Sequence, residues 1–197
     1  MKLITKPMGD YQTNCYIVTI DEKDIIIDPG IGATSWVIEN CTNPIAILNT
    51  HGHFDHIWSN KELKERLKIP IYTPKEDAFM LQNDPFNQGT PSSIPDFEVI
   101  GDSEFLIEGI KIEYIHTPGH TPGNSIIIIE DCCFCGDFIF ENSIGRVDFP
   151  YSNPNDMKKS IKKFLAFDFD KTLYPGHGNK TTIKTEQKRV GIWLEHI

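Results

Sequence analysis

The residues best equipped for chemistry in this chain crowd into His51-Gly52-His53-Phe54-Asp55-His56. Three of the seven histidines fall in those six residues, where even scattering would put about 0.2. Neutral imidazole is the commonest metal ligand. Two histidines two apart in an extended segment project to the same side, so His51 and His53 can share one ion. Asp55 and His56 follow where a helix begins and face another direction, which makes a second ion nearby geometrically natural. A single histidine would be read as solvated or capping; three with a carboxylate this close are not.

The same arrangement recurs further along. His120 sits in Thr117-Pro118-Gly119-His120-Thr121-Pro122-Gly123, Asp137 follows Cys135-Gly136, and His177 lies in Pro175-Gly176-His177-Gly178. Each stands just past a strand, in a glycine-containing turn, where α/β sheets bind ligands. Nitrogen and carboxylate donors without thiolate suit zinc, with manganese or iron as substitutes.

The elements that must position these groups are legible from pattern. Segments 2–7, 15–20, 24–28 and 45–49, rich in Ile and Val, read as strands. Pro29-Gly30 makes a turn, and 33–40 is a short helix. Leu63 and Leu67, four apart among charged residues, predict an amphipathic helix over 61–68, stopped at Pro70. Residues 82–96, with Pro85, Gly89, Pro91 and Pro95, read as a long loop of the kind found over binding sites. Strands return at 105–107, 110–116, 125–130 and 132–135. Asn153 before Pro154 caps a helix over 154–166, with Met157, Ile161, Phe164 and Leu165 at helical spacing. A last strand over 172–174 leads into the His177 turn, and Thr182 caps a terminal helix reaching about 195. Strands and helices interleave throughout, which favours a layered α/β domain with helices outside the sheets.

Composition bounds the rest. With 197 residues and about 150 per domain, residues 1–197 are expected to form one domain. Hydrophobic residues at 39% against 24% charged exclude disorder as the main state. A net charge of −9 repels phosphate backbones and anionic lipid, so neither nucleic acid nor membrane is an expected partner. No apolar run approaches the about 20 residues of a bilayer span, no signal peptide opens the chain, and five cysteines make a poor disulfide framework. A cytoplasmic location is expected. Cys132 and Cys135 lie three apart on a strand and point to opposite faces, so they cannot jointly grip an ion.

His51-x-His53-x-Asp55-His56 followed by His120, Asp137 and His177 resembles the metallo-β-lactamase superfamily, and its contexts resemble the single-domain glyoxalase II-like hydrolases. The similarity extends to segments 116–123, Gly136-Asp137, Gly145-Arg146-x-Asp148-x-Pro150 and 175–178, nearly the whole chain. The resemblance implies an αββα sandwich of two mixed β-sheets flanked by helices. It implies that His51, His53 and His120 bind one metal, that Asp55, His56 and His177 bind a second, and that Asp137 bridges them. Asp28 would brace the ligand loop, and Arg146 matches a basic position that contacts the thiol substrate in larger relatives. The lactamase branch usually has Cys where this chain has Asp137, which speaks against a β-lactam substrate.

The implied activity is metal-dependent hydrolysis of small thioesters by a metal-bridging hydroxide, with Asp55 and Asp137 as the catalytic carboxylates and a glutathione thioester as one candidate substrate. Two zinc-like ions are expected. Full-length glyoxalase II carries a helical C-terminal extension that grips glutathione, whereas only 20 residues follow His177 here. Alternatives are a mononuclear-iron persulfide dioxygenase of the same fold, using His51, His120 and Asp137, or a non-catalytic metal-stabilised binding module. A nuclease of the superfamily conflicts with the net charge. Oligomeric state is not legible. His116 reads as a packed or hydrogen-bonded histidine, His196 as solvated, Trp58 as core, and Phe86 as open between core and pocket wall.

Overall fold

In the computed structural model, which describes residues 1–197, the apolar strands pair into two six-stranded mixed sheets. The first contains β1 (Lys2–Met8), β2 (Thr13–Ile20), β3 (Lys23–Ile27), β4 (Pro44–Leu48), β5 (Ile71–Pro74) and β6 (Phe97–Val99), side by side in sequence order. The pairs from β1 to β3 are antiparallel, and those from β3 to β6 are parallel. Parallel pairing demands crossovers. These include α1 (Ala33–Asn40), α2 (Phe54–Ile57), α3 (Asn60–Leu67) and α4 (Ala78–Asn83).

The second sheet holds β7 (Ser103–Ile107), β8 (Ile110–His116), β9 (Ser125–Ile129), β10 (Cys132–Gly136), β13 (Thr172–Pro175) and β14 (Thr181–Thr182), in the order β14-β13-β10-β9-β8-β7. Its one parallel pair is β10 with β13, joined through the small β11 (Ile139–Phe140) and β12 (Ser143–Ile144) hairpin and α5 (Pro154–Leu165). The helices α6 (Ile183–Gln187) and α7 (Trp193–His196) follow.

Residue alternation decides the layers. Ile25 and Ile27 of β3 meet Ile112, Tyr114, Ile127 and Phe134 of the second sheet in a core between the sheets, while Ile26 faces outward with Val37, Leu63 and Leu81 of the helices. In β10, Cys132 and Phe134 face the inter-sheet core, and Cys133 and Cys135 face the cluster under α5 with Met157, Ile161 and Phe164. This is the αββα sandwich. No helix is long and apolar enough to cross a membrane.

Two expectations change. The terminal helix breaks after Gln187, and a 3-10 turn at Val190–Ile192 intervenes before α7. Gly191 weakens helix there, and the break turns Val190 and Trp193 onto the cluster under α5. Residues 82 and 83 belong to α4, which buries Ala78, Met80 and Leu81, so the long loop begins at Asp84. The strands β5, β6, β11, β12 and β14, two to four residues long, are too short to carry a periodic signal.

The helix α5 grips the loop that carries His120. The Asn153 side chain accepts from Asn155 and Asp156 N–H at 2.9 and 3.3 Å. Its N–H donates to the Gly119 carbonyl at 2.8 Å. Ser160 Oγ donates to the Pro118 carbonyl and Ser152 Oγ to the His120 carbonyl, both at 2.6 Å. Gly119 sits at φ +143°, and a Cβ there would stand 2.5 Å from Met157 Cα. We expect Gly119→Ala to cost about 1–3 kcal/mol, the usual scale of overpacking, read as a lower urea midpoint.

Candidate metal centre

Every loop carrying a candidate ligand opens at one edge of the sandwich. Asp28 follows β3, and 51–56 follows the adjacent parallel strand β4. Asp137 and His177 follow β10 and β13, the parallel pair of the other sheet, and His120 lies between β8 and β9. The sheets are tied together here: Ser125 N–H donates to the Thr50 carbonyl at 2.9 Å, and Asn14 N–H to the Gly176 carbonyl at 2.7 Å. Residues far apart in sequence therefore converge. Ring centroids lie 5.2 Å apart for His51 and His120, 4.5 Å for His53 and His120, and 5.3 Å for His56 and His177.

Two groups of three donors result, His51/His53/His120 and Asp55/His56/His177. The Asp137 carboxylate stands between them, 3.4 Å from His56 Nε2 through Oδ1 and 3.4 Å from both His120 Nε2 and His177 Nε2 through Oδ2. Asp55 Oδ2 lies 3.6 and 3.4 Å from His56 and His177 Nε2. Donors about 2.05 Å from a tetrahedral ion stand about 3.4 Å from one another, which these separations match. His53 Nδ1 and His120 Nε2 are closer, at 2.8 Å. Buried with no hydrogen-bond partner are His51 Nε2, His53 Nε2, His56 Nε2 and Asp137 Oδ1. His53 faces the centre through Nδ1 instead, so three orphaned atoms, His51 Nε2, His56 Nε2 and Asp137 Oδ1, converge there; that is too costly to be incidental, and the donor set fits a divalent metal.

The outer nitrogens fix the rings. His51 Nδ1 donates to Thr50 Oγ1 at 3.0 Å, and that hydroxyl donates to Asp28 Oδ2 at 2.6 Å. His56 Nδ1 donates to Asp28 Oδ2 at 3.0 Å, His120 Nδ1 to the Arg146 carbonyl at 2.9 Å, and His177 Nδ1 to the Tyr11 carbonyl at 2.9 Å. A proton held on Nδ1 leaves the Nε2 lone pair facing the centre. Asp28 also accepts the Thr50 N–H at 2.8 Å. A third donor group, Asp28/His51/His56, is thus a hydrogen-bonded brace, with the Asp28 oxygens already taken.

Charge divides the two triads. Burial, reinforced by neighbouring imidazoles, holds His51 and His120 below the ordinary histidine pKa and takes His53 down to about 3. Burial also opposes charge on His56 and His177, but adjacent carboxylates outweigh it: Asp55 and Asp137 raise His56 well above 6.5, and Asp137 and Asp55 bring His177 up to about 9. Burial would raise Asp137 and Asp55, yet the imidazoles hold Asp137 well below the carboxylate range and Asp55 at about 2.

The rim is aromatic. Phe86 and Phe149 stand over His53 at 5.1 and 5.9 Å, with Tyr151 against Phe86 at 6.0 Å, and Phe140 lies 6.2 Å from His177. Phe86 therefore belongs to the mouth. The Arg146 side chain, 64% exposed, forms a two-pronged pair with Asp148 at 2.8 and 2.7 Å and lies 4.2 Å over Phe149; its backbone carbonyl, not its guanidinium, touches His120. Trp58, read as core, is half-buried instead and lines an outer groove with Thr34, Glu62 and Pro91, because α2 ends beside it and turns its ring away from the sheet. His116 Nε2 bonds the Pro122 carbonyl at 2.8 Å, away from the centre. Sequence reasoning missed Thr13, whose Oγ1 donates to Asp55 Oδ2 at 2.6 Å, and also Thr50 and Asp77. Only their long-range partners mark them out.

Comparison with known proteins agrees with this geometry. The Metallo-beta-lactamase superfamily profile matches residues 8–177. A Haemophilus influenzae relative named hydroxyacylglutathione hydrolase GloC is 34% identical, with 92% of this chain and 93% of that protein aligned. Among solved structures, the BLEG-1 B3 metallo-beta-lactamase superposes with a TM-score of 0.85 at 30% identity, covering 95% of this chain and 97% of that one. TTHA1623, solved in a di-iron-bound form, gives 0.82 at 28% identity, covering 94% and 98%.

A metal entering the second triad must displace protons, whereas the first is already neutral. With His177 titrating at about 9 and His56 also raised, apparent zinc affinity at Asp55/His56/His177 should fall by up to about a hundredfold per pH unit below that range, one factor of ten for each displaced proton, while affinity at His51/His53/His120 stays level down to about pH 6.5. Calorimetric zinc titrations in buffers of different ionisation enthalpy should report the released protons; uptake of both ions with no proton release would contradict the charge pattern.

Proposed function

The chain belongs to the Metallo-beta-lactamase superfamily and is a metallo-hydrolase, and from that premise we propose that it cleaves small thioesters at a binuclear centre. What carries the reading is the pair of donor triads joined by Asp137. His51, His53 and His120 would hold one divalent ion, Asp55, His56 and His177 the other, and Asp137 would touch both. Zinc suits the donors, and the di-iron form of TTHA1623 makes iron the alternative that elemental analysis decides. Bound ions of this kind acidify water and polarise a carbonyl oxygen.

The protein's own contribution is placement. Thr13 and the imidazoles keep Asp55 ionised, so it can orient the attacking water by accepting its proton in a hydrogen bond. Asp28 and the Arg146 and Tyr11 carbonyls hold four imidazoles with Nε2 inward. With His51, His53, His56, His120 and His177 all taken up as ligands, no free imidazole would remain beside the centre to act as a general acid. A thiolate, with a thiol pKa near 8.5, leaves without one, whereas an alkoxide does not. A thioester is therefore the ester this wall of ligands serves best.

The GloC likeness supports a glutathione thioester as one substrate. Arg146 is our candidate anchor for its carboxylates, with a grip weakened because Asp148 already occupies the guanidinium. Phe86, Phe149 and Tyr151 supply apolar surface for the acyl or thiol portion. The likeness to a B3 lactamase raises β-lactam hydrolysis as a second reading, and the same assay series tests it.

Purified protein should contain about two metal ions per chain and hydrolyse small thioesters faster than a chromogenic cephalosporin; the reverse preference would overturn the thioester reading. Asp137→Ala should lose at least one ion and about 100-fold or more in turnover, the scale of removing one charge-stabilising group. Phe86→Ala should raise KM about tenfold for thioesters with apolar acyl groups, equal to roughly 1.4 kcal/mol of lost contact, and leave kcat nearly unchanged.

A further inference from the structure

One buried carboxylate at this edge takes no part in the scheme above. Asp77 ends the single 3-10 turn, Lys75–Asp77, that follows β5, and it is 0% exposed. Its Oδ2 accepts the Gly52 N–H at 2.9 Å and the Thr121 hydroxyl at 2.6 Å; its Oδ1 accepts the Gly123 N–H at 2.6 Å. Gly52 lies between His51 and His53, and Thr121 and Gly123 follow His120. Two of the three donors thus follow His120 and the third stands between His51 and His53; Asp55 and His56 come after them on α2, for which His53 is the N-cap, and His177 lies in a separate loop.

The loops are shaped around this side chain. A Cβ on Gly52 would come within 3.0 Å of Asp77 Cβ and 2.9 Å of its carbonyl oxygen, and one on Gly123 within 2.7 Å of Asp77 Cγ. Burial pushes the Asp77 pKa up to about 6 against the pull of its three donors, all of which are uncharged groups. Keeping a carboxylate there costs stability, and no ion pair repays it. What it delivers is geometric: one rigid, two-oxygen acceptor that fixes the spacing between the 51–53 loop and the 120–123 loop. Asp28 does the corresponding work for Thr50 and His56.

We propose that Asp77 is the positioning residue of the His51/His53/His120 triad, setting metal affinity there and leaving Asp55/His56/His177 untouched. The proposal rests on the binuclear reading. An Asn at 77 has one acceptor oxygen and must turn its NH2 toward an N–H or O–H donor, so Asp77→Asn keeps the volume and breaks the clamp. Thr121→Val removes only the hydroxyl donor.

The test is a pair of backgrounds, read by zinc affinity in chelator competition. In His177→Ala, where the first triad remains, adding Asp77→Asn should weaken zinc 10–100-fold, the usual effect of losing a residue that orients ligands. In His53→Ala, where the second triad remains, the same change should leave affinity within about twofold. Thr121→Val should reproduce the pattern with a smaller, several-fold loss, and it carries the test if Asp77→Asn does not fold. Equal losses in both backgrounds, or loss in neither, would overturn the proposal. Unmodified protein that binds no zinc would instead sink the metal reading, and the proposal with it.

Discussion

Four imidazoles and two carboxylates lie buried at one edge of this sandwich, and their inward atoms must find a partner. An unpaired buried polar atom costs about 1–3 kcal/mol, and His51, His56 and Asp137 each leave one facing inward. Such a concentration opposes folding unless something binds there. The rest of the edge follows from that constraint: each ring needs an acceptor behind it, each acceptor needs a rigid backbone, and both sheets must end at the same place.

The sandwich meets these requirements through its two parallel strand pairs. Side by side, β3 and β4 place Asp28 behind the 50–56 loop, while β10 and β13 place Asp137 beside His177. The antiparallel strands give the sheets their length and the inter-sheet core its Ile and aromatic residues; the parallel pairs bring distant residues to a common end. The Ser125-to-Thr50 and Asn14-to-Gly176 hydrogen bonds lock the two sheets in register there. A shift of one residue in either would turn a ligand away from the centre.

Much of this was legible in the sequence. The ligand-bearing turns could be read because each combines a local residue pattern with an apolar strand just before it. Asn153-Pro154 and the spacing of Met157, Ile161 and Phe164 likewise encode α5 locally, and the alternation of Cys132 to Cys135 encodes its own facing. What could not be read is non-local. Asp77 looks like a turn residue, and its partners lie 25, 44 and 46 positions away. Thr13 reaches Asp55 across 42 positions. Trp58 is hydrophobic enough to be read as core, but the end of α2 decides which way it faces. The helix that Thr182 caps stops at Gln187, and only the packing of Val190 and Trp193 on the cluster under α5 shows where the chain goes next.

The two triads differ in charge for a reason that lies in the chain's layout. His51, His53 and His120 face one another across a site whose sole carboxylate is Asp137, so burial and mutual repulsion keep them neutral. His56 and His177 stand between Asp55 and Asp137, so the field there favours protons. The first triad is a neutral nitrogen site whose internal hydrogen bond joins His53 Nδ1 and His120 Nε2. The second already draws itself together by opposite charges. Both sides are braced from behind: Asp28 holds Thr50 and His56, and Asp77 joins the Gly52 backbone to Thr121 and Gly123.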